Sequence, residues 1–423
     1  MITAQDIAIH RAAPGTPATQ APAAAFAERL LLIVLYVTVL ASSVAFIEPS
    51  PHDALMGVLA IICLIAGVRF ERALVVPLLL LLVWNVAGMM SLLNVSAEEK
   101  AIQYTGTSIY LAIAALIFAC LFARNTMPRL ATMRAAYVLT AVMVALAGIS
   151  GYFSLFPGAH DLFATNDRAL GAFKDPNVFG PFMIWPALVV FERMLARRIR
   201  LTDVLIAGIL LLGLLLSFSR GAWFHFAVSA LVLAALTFLT APSPSARMRV
   251  FSLTALCVVT LVALVMFLLS FSAIQQMFQE RAHLINSYDV GPGGRFRLQE
   301  LAVAALLKFP DGMGPFEFAR LYGNQQHNVY LQAFLVYGWI GGASYILMVL
   351  STLLVGLHTA WIATPWRPYL ITAFAAFVGE VGEGFIVDTD HWRHFFLLLG
   401  IIWGLFAATT NYRHQTTSCF GVH

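Results

Sequence analysis

Two arginines and one histidine stand out in the 423-residue chain, because each can bind or move charge beside an apolar or glycine-rich segment. Arg220 is flanked by apolar runs on both sides. A charge in a bilayer core costs ~2.5–3.5 kcal/mol even on a lenient insertion scale, so a specific role is expected. A guanidinium binds phosphate through two parallel hydrogen bonds, and a helix starting at Gly221 would add free backbone N–H groups. Arg220 is therefore expected either to bind an anion or to reach lipid headgroups with its side chain.

Arg295 and His327 lie in a polar segment between two apolar regions. Arg295 follows Gly293-Gly294, and glycines let a backbone approach a ligand closely, although a solvated loop charge fits the same pattern. His327 ends the segment and precedes an apolar run. An imidazole accepts a proton near neutral pH, so His327 can be a general base acting on a hydroxyl, or a structural hydrogen-bonding residue.

Two acidic patterns allow other chemistry. Glu380 and Glu383 lie three residues apart in an apolar run, where carboxylates can relay protons, neutralise an interior arginine or line a wet cavity. Asp388 and Asp390 have the D-x-D spacing that can hold a divalent cation. A short acidic turn between membrane spans is common, however, and we expect neither a metal nor another cofactor.

The composition determines the kind of element that positions these residues. Hydrophobic residues make up 60% of the chain and charged residues 11%, and the mean hydropathy is +0.84. Soluble domains carry roughly a quarter charged residues, so a soluble globule is excluded. Apolar runs of about twenty residues predict an all-α integral membrane protein with about 12 transmembrane helices and one large, partly helical periplasmic loop.

The basic residues predict the orientation. Most of the 25 Lys and Arg residues fall on one side if the spans alternate, and that side is expected to be cytoplasmic. The net charge of +4 then reflects topology and implies no nucleic acid. The predicted order is a disordered cytoplasmic tail (1–27), transmembrane helices 1–9 (28–271), the large periplasmic loop with catalytic residues (272–327), transmembrane helices 10–12 (328–410) and a cytoplasmic tail (411–423).

Local patterns refine two connections. Apolar residues at helical spacing predict a helix from Arg297 to Phe309 inside the loop, ended by Pro310 and Gly312. The turn formers of Asp175-Pro176-Asn177 predict a cap on the span that follows.

Several short motifs occur in a fixed order. They are Lys174-Asp175-Pro176-Asn177-Val178-Phe179-Gly180, Phe218-Ser219-Arg220-Gly221-Ala222, Gly294-Arg295, Pro310-Asp311-Gly312-Met313-Gly314, His327-Asn328-Val329-Tyr330-Leu331 and Tyr337-Gly338-Trp339-Ile340-Gly341-Gly342. In order and spacing the set resembles the O-antigen ligase and O-antigen polymerase family of bacterial polytopic membrane glycosyltransferases. The resemblance covers about 165–345, and the number of spans and the late loop extend it to most of the chain.

The resemblance implies a metal-independent, inverting glycosyltransferase in the bacterial inner membrane, with a periplasmic active site and cytoplasmic termini. The donor would be an undecaprenyl-diphosphate-linked glycan, and the acceptor a lipid-linked hydroxyl such as that of lipid A core. By the family pattern, Arg220 and Arg295 would bind the diphosphate and His327 would be the base. Further contacts are expected from Arg281, Arg297 and Asn328, whereas Asp175 and Asn177 would have a structural role.

Three functions are compatible with these residues. A ligase joins a finished polysaccharide to lipid A core, and is favoured by the overall resemblance. An O-antigen or exopolysaccharide polymerase uses the same donor chemistry on repeat units. A lipid-linked glycan flippase or proton-coupled transporter would need Glu380 and Glu383 rather than His327. The concentration of polar residues in one late loop favours an enzyme over a transporter.

Overall fold

The computed structural model describes residues 22–47, 49–95, 97–282 and 294–419, and these form helices and one small hairpin. The helices are α1 (Pro22–Leu40), α2 (Pro51–Ile65), α3 (Val75–Leu92), α4 (Glu99–Ala123), α5 (Thr126–Tyr152), α6 (Ala159–Phe163), α7 (Pro176–Phe182), α8 (Ile184–Ala196), α9 (Leu201–Leu216), α10 (Arg220–Leu239), α11 (Pro244–Leu268), α12 (Ser272–Ala282), α13 (Arg295–Leu306), α14 (Glu317–Tyr322), α15 (Val329–Ala360), α16 (Arg367–Glu383) and α17 (Arg393–Cys419). The hairpin pairs β1 (Ala164–Thr165) with β2 (Arg168–Ala169). Most of the predicted N-terminal tail and residues 420–423 lie outside the described residues.

Nine stretches within the described ranges are long and apolar enough to cross a membrane. The predicted helical class is therefore confirmed, and the nine candidate spans support a multi-pass membrane protein. The helices α2, α9 and α16 have 15, 16 and 17 residues. At ~1.5 Å per residue they reach ~23–26 Å, less than a ~30 Å hydrocarbon core. The expected number of about 12 spans stays a prediction.

Close packing between α17 and α4 fixes the C-terminal part of the bundle. A Cβ atom built on Gly400 would lie 2.6 Å from the carbonyl oxygen of Ala115, and one on Gly404 would lie 2.7 Å from that of Ala119. Glycine at both positions lets the two backbones touch, as small residues do between membrane helices. The start of α17, and the turn 384–392 before it, are thereby held in place.

The loop between α11 and α15 is docked onto a kink in α15. Gly338 has φ 67° and ψ −174°, a conformation that glycine adopts easily. At this kink the N–H of Trp339 donates to the carbonyl oxygen of Pro310 (2.8 Å), and the N–H of Met313 donates to that of Leu335 (2.7 Å). The helix α13 packs on α15 through a small separate core of Leu298, Ala302, Ala305, Met313, Phe318 and Leu335. The loop is partly helical, and α13 matches the helix predicted from Arg297 to Phe309.

Several connections meet at one end of the bundle. We call this the loop end; it comprises residues 41–47, 153–175, 217–220, 294–328 and 384–392. Hydrogen bonds join these segments to one another, and helix starts beside them are tied in the same way. They run from the Ala45 N–H to the Ala172 carbonyl, from Arg168 to the Ser217 carbonyl, from the Val329 N–H to the Gly384 carbonyl, and from Arg393 to Asp53 at the start of α2.

Candidate active site

His327 lies at the loop end beside a carboxylate that follows α16. Its Nδ1 is 3.6 Å from Oδ2 of Asp388, an ion-pair distance rather than a hydrogen bond. The side chains are 40% and 22% exposed, so a ligand can reach the imidazole while Asp388 is better shielded. The backbone of His327 has φ 50°, in the left-handed region. A carboxylate beside Nδ1 leaves Nε2 to exchange a proton with a ligand.

Asn328 holds His327 in this position. Its Oδ1 accepts hydrogen bonds from the N–H groups of Tyr330 (3.0 Å) and Leu331 (3.1 Å), which caps α15. Its Nδ2 donates to the carbonyl oxygen of Phe385 at 3.2 Å. The start of α15 is thus tied to the turn that carries Asp388. Asn328, expected to be a ligand contact, is occupied here as a cap.

Asp388 and Asp390 have opposite electrostatic environments. Burial raises the pKa of Asp388, and the contact with His327 offsets this only in part. Burial also acts to raise the pKa of Asp390, but His391 and Tyr104 outweigh it and hold that pKa below its ordinary value. The Tyr104 hydroxyl donates to Oδ2 of Asp390 at 2.5 Å, and His391 Nδ1 lies 3.1 Å from the same oxygen.

The two aspartates therefore face different partners, although their spacing fits a cation. Asp388 faces His327, while Asp390 faces Tyr104 and His391. Within the described ranges, the structure brings together no group of three or more His, Cys, Asp or Glu side chains suited to a metal ion. In this geometry only one carboxylate of the D-x-D pattern, that of Asp388, faces the candidate base His327.

Arg295 is the first residue of α13, and this helix start lies against His327. One turn further on, Gln299 Nε2 donates to the carbonyl oxygens of His327 (3.5 Å) and Phe385 (3.3 Å). Arg297 instead pairs with Glu300 at 2.6 Å, and both side chains are at least half exposed. The structure thus brings the start of α13 to the histidine and turns Arg297 toward solvent. The side chain of Arg281 and residue Gly293 lie outside the described part of the chain.

Arg220 is the first residue of α10 and is partly buried. Ser219 caps the helix, because its Oγ accepts from the N–H of Ala222 at 3.4 Å. A Cβ atom built on Gly221 would lie only 2.6 Å from Oε1 of Glu383, so α10 begins in contact with the end of α16. Since Asp388 follows α16 by five residues, the starts of α10, α13 and α15 meet around this turn. Their positive dipole ends favour an anion there.

The predicted turn before α7 has a structural role. Oδ1 of Asp175 accepts from the N–H of Asn177 at 2.8 Å, which confirms the predicted cap. Oδ1 of Asn177 accepts from Arg168 at 2.8 Å, and the same guanidinium donates to the carbonyl oxygen of Ser217 at 2.7 Å. Arg168 therefore supports the segment that leads into Arg220. Nothing in its local pattern distinguishes this arginine from the other basic residues of the loop end.

A comparison with protein families finds one match. Residues 205–346 match a family described as O-Antigen ligase. This segment therefore resembles the O-antigen ligase family. The match confirms the resemblance and includes Arg220, Arg295 and His327, whereas Asp175, Glu380 and Asp388 lie outside it. A comparison with curated proteins finds no match.

The segment that matches the family contains Arg220 and Arg295, the two arginines of the candidate site. The ligase family acts on lipid-linked glycans in general, and function of the ligase or polymerase type is supported. The remaining part of the site, the turn with Asp388, comes from the chain beyond the family match. Sequence patterns identified this residue only as a cation ligand, although its place after α16 put it on the same side as His327.

Proposed function

We propose that the protein is a glycosyltransferase of the O-antigen ligase type. It would move a polysaccharide from undecaprenyl diphosphate to a hydroxyl of a lipid-linked acceptor such as lipid A core, on the periplasmic face of the inner membrane. The observation that carries this proposal is the meeting of His327, backed by Asp388, with the helix starts that bear Arg220 and Arg295. The family match over these three residues supports it.

In the proposed reaction His327 Nε2 takes the proton of the acceptor hydroxyl. The hydroxyl oxygen then forms a bond to the anomeric carbon of the glycan. At the same time the bond between that carbon and the diphosphate oxygen breaks, so the configuration inverts. The products are the glycosylated acceptor, undecaprenyl diphosphate and an imidazolium. Asp388 beside Nδ1 favours the orientation and the charge that this step requires.

Arg220 and Arg295 would bind the departing diphosphate. Two fixed cations act where negative charge develops, which lowers the barrier most in a site of low dielectric. The positive ends of α10 and α13 add to the same effect. The leaving group can therefore depart without a metal ion.

Lipopolysaccharide from cells that lack the protein tests this function. A ligase is expected to leave lipid A core without long chains, while polymer accumulates on undecaprenyl diphosphate. A single repeat unit still attached to core would instead indicate a polymerase, the alternative with the same donor chemistry. Unchanged lipopolysaccharide and unchanged exopolysaccharide would contradict both.

A further inference from the structure

Two histidines and two glutamates lie together in the bundle interior, apart from His327. They are His225 on α10, Glu380 and Glu383 on α16, and His394 on α17, with exposed fractions of 1%, 0%, 0% and 7%. Ionisable groups at membrane depth are costly, and they usually have a function when they occur. The proposed glycosyl transfer uses none of them.

His225 and Glu383 form a pair that is neutral as a whole. His225 Nε2 lies 2.9 Å from the carbonyl oxygen of Ala376, which can only accept, so Nε2 carries a hydrogen. His225 Nδ1 lies 2.8 Å from Oε2 of Glu383, and this contact holds one proton. If the proton is on Nδ1 the pair is imidazolium and carboxylate. If it is on the carboxyl group, both members are uncharged.

Glu380 does not share a proton with a histidine in this way. Neither of its oxygens has a hydrogen-bond partner among the described residues. His394 Nε2 lies 3.3 Å from Oε1 without the geometry of a hydrogen bond. An ionised carboxylate with no protein donor in the bundle interior is strongly disfavoured, whereas a carboxylic acid can donate its proton to the neutral imidazole of His394.

Among the described residues around Glu380 there is no cation that would keep it ionised. The helices packed around it contribute His225 from α10, Glu383 from α16 itself, Tyr137 from α5, Tyr330 and Tyr345 from α15, His394 from α17 and the uncharged Trp185 from α8. His225 is already committed to Glu383, and the phenols are neutral. The neutral acid is therefore the form that this site favours.

A small polar cavity adjoins Glu380. It has a volume of about 10 Å³, close to the space that one water molecule needs. Tyr137 Oη, Trp185 Nε1 and His394 Nε2 line it, and each lacks a protein partner among the described residues, as Glu380 does. Such a set of donors and acceptors suits a single hydrogen-bonded water.

A larger cavity lies between this site and the loop end. It has a volume of about 170 Å³ and shares Tyr137, His394 and Leu397 with the small one. Its rim includes Lys174 and Asp175, which are exposed. His394 therefore lies between Glu380 and a cavity whose lining includes residues of the loop end.

We propose that Glu380 is a buried proton-binding site that exchanges its proton with the solvent at the loop end through His394. The site is independent of the proposed glycosyl transfer. Its ligand is a hydrogen ion, together with one water molecule in the small cavity. Glu383 is excluded from this role because His225 already shares its proton.

A membrane-permeant carbodiimide tests this assignment, because it reacts with protonated carboxyl groups in apolar surroundings. The acid O–H adds across one C=N bond to give an O-acylisourea, which rearranges to a stable N-acylurea with no atom lost. Dicyclohexylcarbodiimide is applied to the full-length protein in detergent at a series of pH values. Mass spectrometry of the peptides is expected to find one carbodiimide on Glu380, with a yield that falls as the pH rises.

Two variants test which carboxyl group of α16 reacts. Glu380→Gln is expected to reduce labelling of α16 to background, and the matched Glu383→Gln is expected to keep the label on Glu380. The peptide map of the unchanged protein decides the question even if a variant does not fold. Labelling of Glu383 in place of Glu380, no label on α16, or a yield that does not depend on pH would each overturn the assignment.

Discussion

At the scale of single residues, the carboxylates that flank Thr389 differ most from what their spacing suggests. Asp388 and Asp390 look equivalent in the sequence, as two ligands of one cation. In the structure one faces His327 and the other is held by Tyr104 and His391. Their pKa values shift in opposite directions, so their contributions to stability have opposite signs.

Asp388→Asn is expected to reduce activity without reducing stability. Because the pKa of Asp388 is raised by folding, the folded state holds more protons, and this carboxyl group lowers stability as pH rises through its pKa. We expect the variant to melt no lower than the parent protein at pH 7 in detergent. Glycan transfer should fall by about 10- to 100-fold, less than the ~10²–10⁴ that a general base contributes, since His327 loses its partner. A lower melting temperature with full transfer would contradict this.

Asp390→Asn is the matched variant, and its expected effect on stability has the opposite sign. The pKa of Asp390 is lowered by folding, so its stabilisation is present above the ordinary pKa of an aspartate and is lost as pH falls. We expect the variant to lose about 1.5–3 kcal/mol of stability near neutral pH, the range for hydrogen bonds to charged groups. Melting curves in detergent over a pH series should show this difference shrinking toward acid pH. Equal melting temperatures at pH 7 would count against the network around Tyr104.

At the scale of elements, α10 and α16 are in close contact. Glu380 and Glu383 lie on α16, and α10 begins with Arg220, for which we propose a role in diphosphate binding. A Cβ atom on Gly379 would lie 2.5 Å from the backbone oxygen of His225 and would clash with Ser229 Oγ. Since the backbone of α10 cannot yield as a flexible side chain can, this contact depends on glycine. The two helices must separate if the residue grows.

Gly379→Ala is expected to destabilise the protein by about 1–3 kcal/mol, the usual cost of overpacking. The control is Gly208→Ala, because Gly208 is exposed in α9 and a Cβ atom there meets nothing within 4 Å. That change should be neutral or slightly stabilising, since alanine has the higher helix propensity. The melting temperatures of both variants in detergent give the test. Equal behaviour of the two would show that α10 and α16 are not in close contact.

Element prediction from the sequence succeeded where it needed only local information. Apolar run length predicted the membrane helices, and helical spacing with Pro310 predicted α13 within the loop. The kink at Gly338 was not predicted, because its conformation depends on a loop that docks there by hydrogen bonds. The pairing of His327 with Asp388 was missed for a similar reason. It joins residues 61 positions apart, and local patterns carry no signal for such contacts.

At the scale of the whole molecule, the chain is a helical membrane bundle with its candidate site residues gathered at one end. The resemblance predicted which residues would matter, and the structure brings the starts of their helices together around residues 384–388. The partners of Arg220 and Arg295 in a complex with donor stay a prediction. So do the periplasmic orientation and the identity of the acceptor.

Removal of divalent cations tests the metal-independent mechanism. Purified protein treated with excess EDTA is expected to transfer glycan at an unchanged rate, because cationic side chains and helix dipoles would stabilise the leaving diphosphate. Activity that disappears in EDTA and returns with Mg²⁺ or Mn²⁺ would favour the D-x-D alternative at Asp388 and Asp390.

Glycan transfer by purified His327→Ala tests whether His327 is the general base. The assay uses an undecaprenyl-diphosphate-linked glycan and lipid A core, with Arg220→Ala as a second variant. The control is Arg320→Ala, which removes an exposed loop arginine paired with Glu317. We expect His327→Ala to lose about 10²–10⁴ in rate, the contribution of a general base, and Arg220→Ala to lose transfer too, while Arg320→Ala stays active. Transfer by folded His327→Ala at the parent rate would contradict the account.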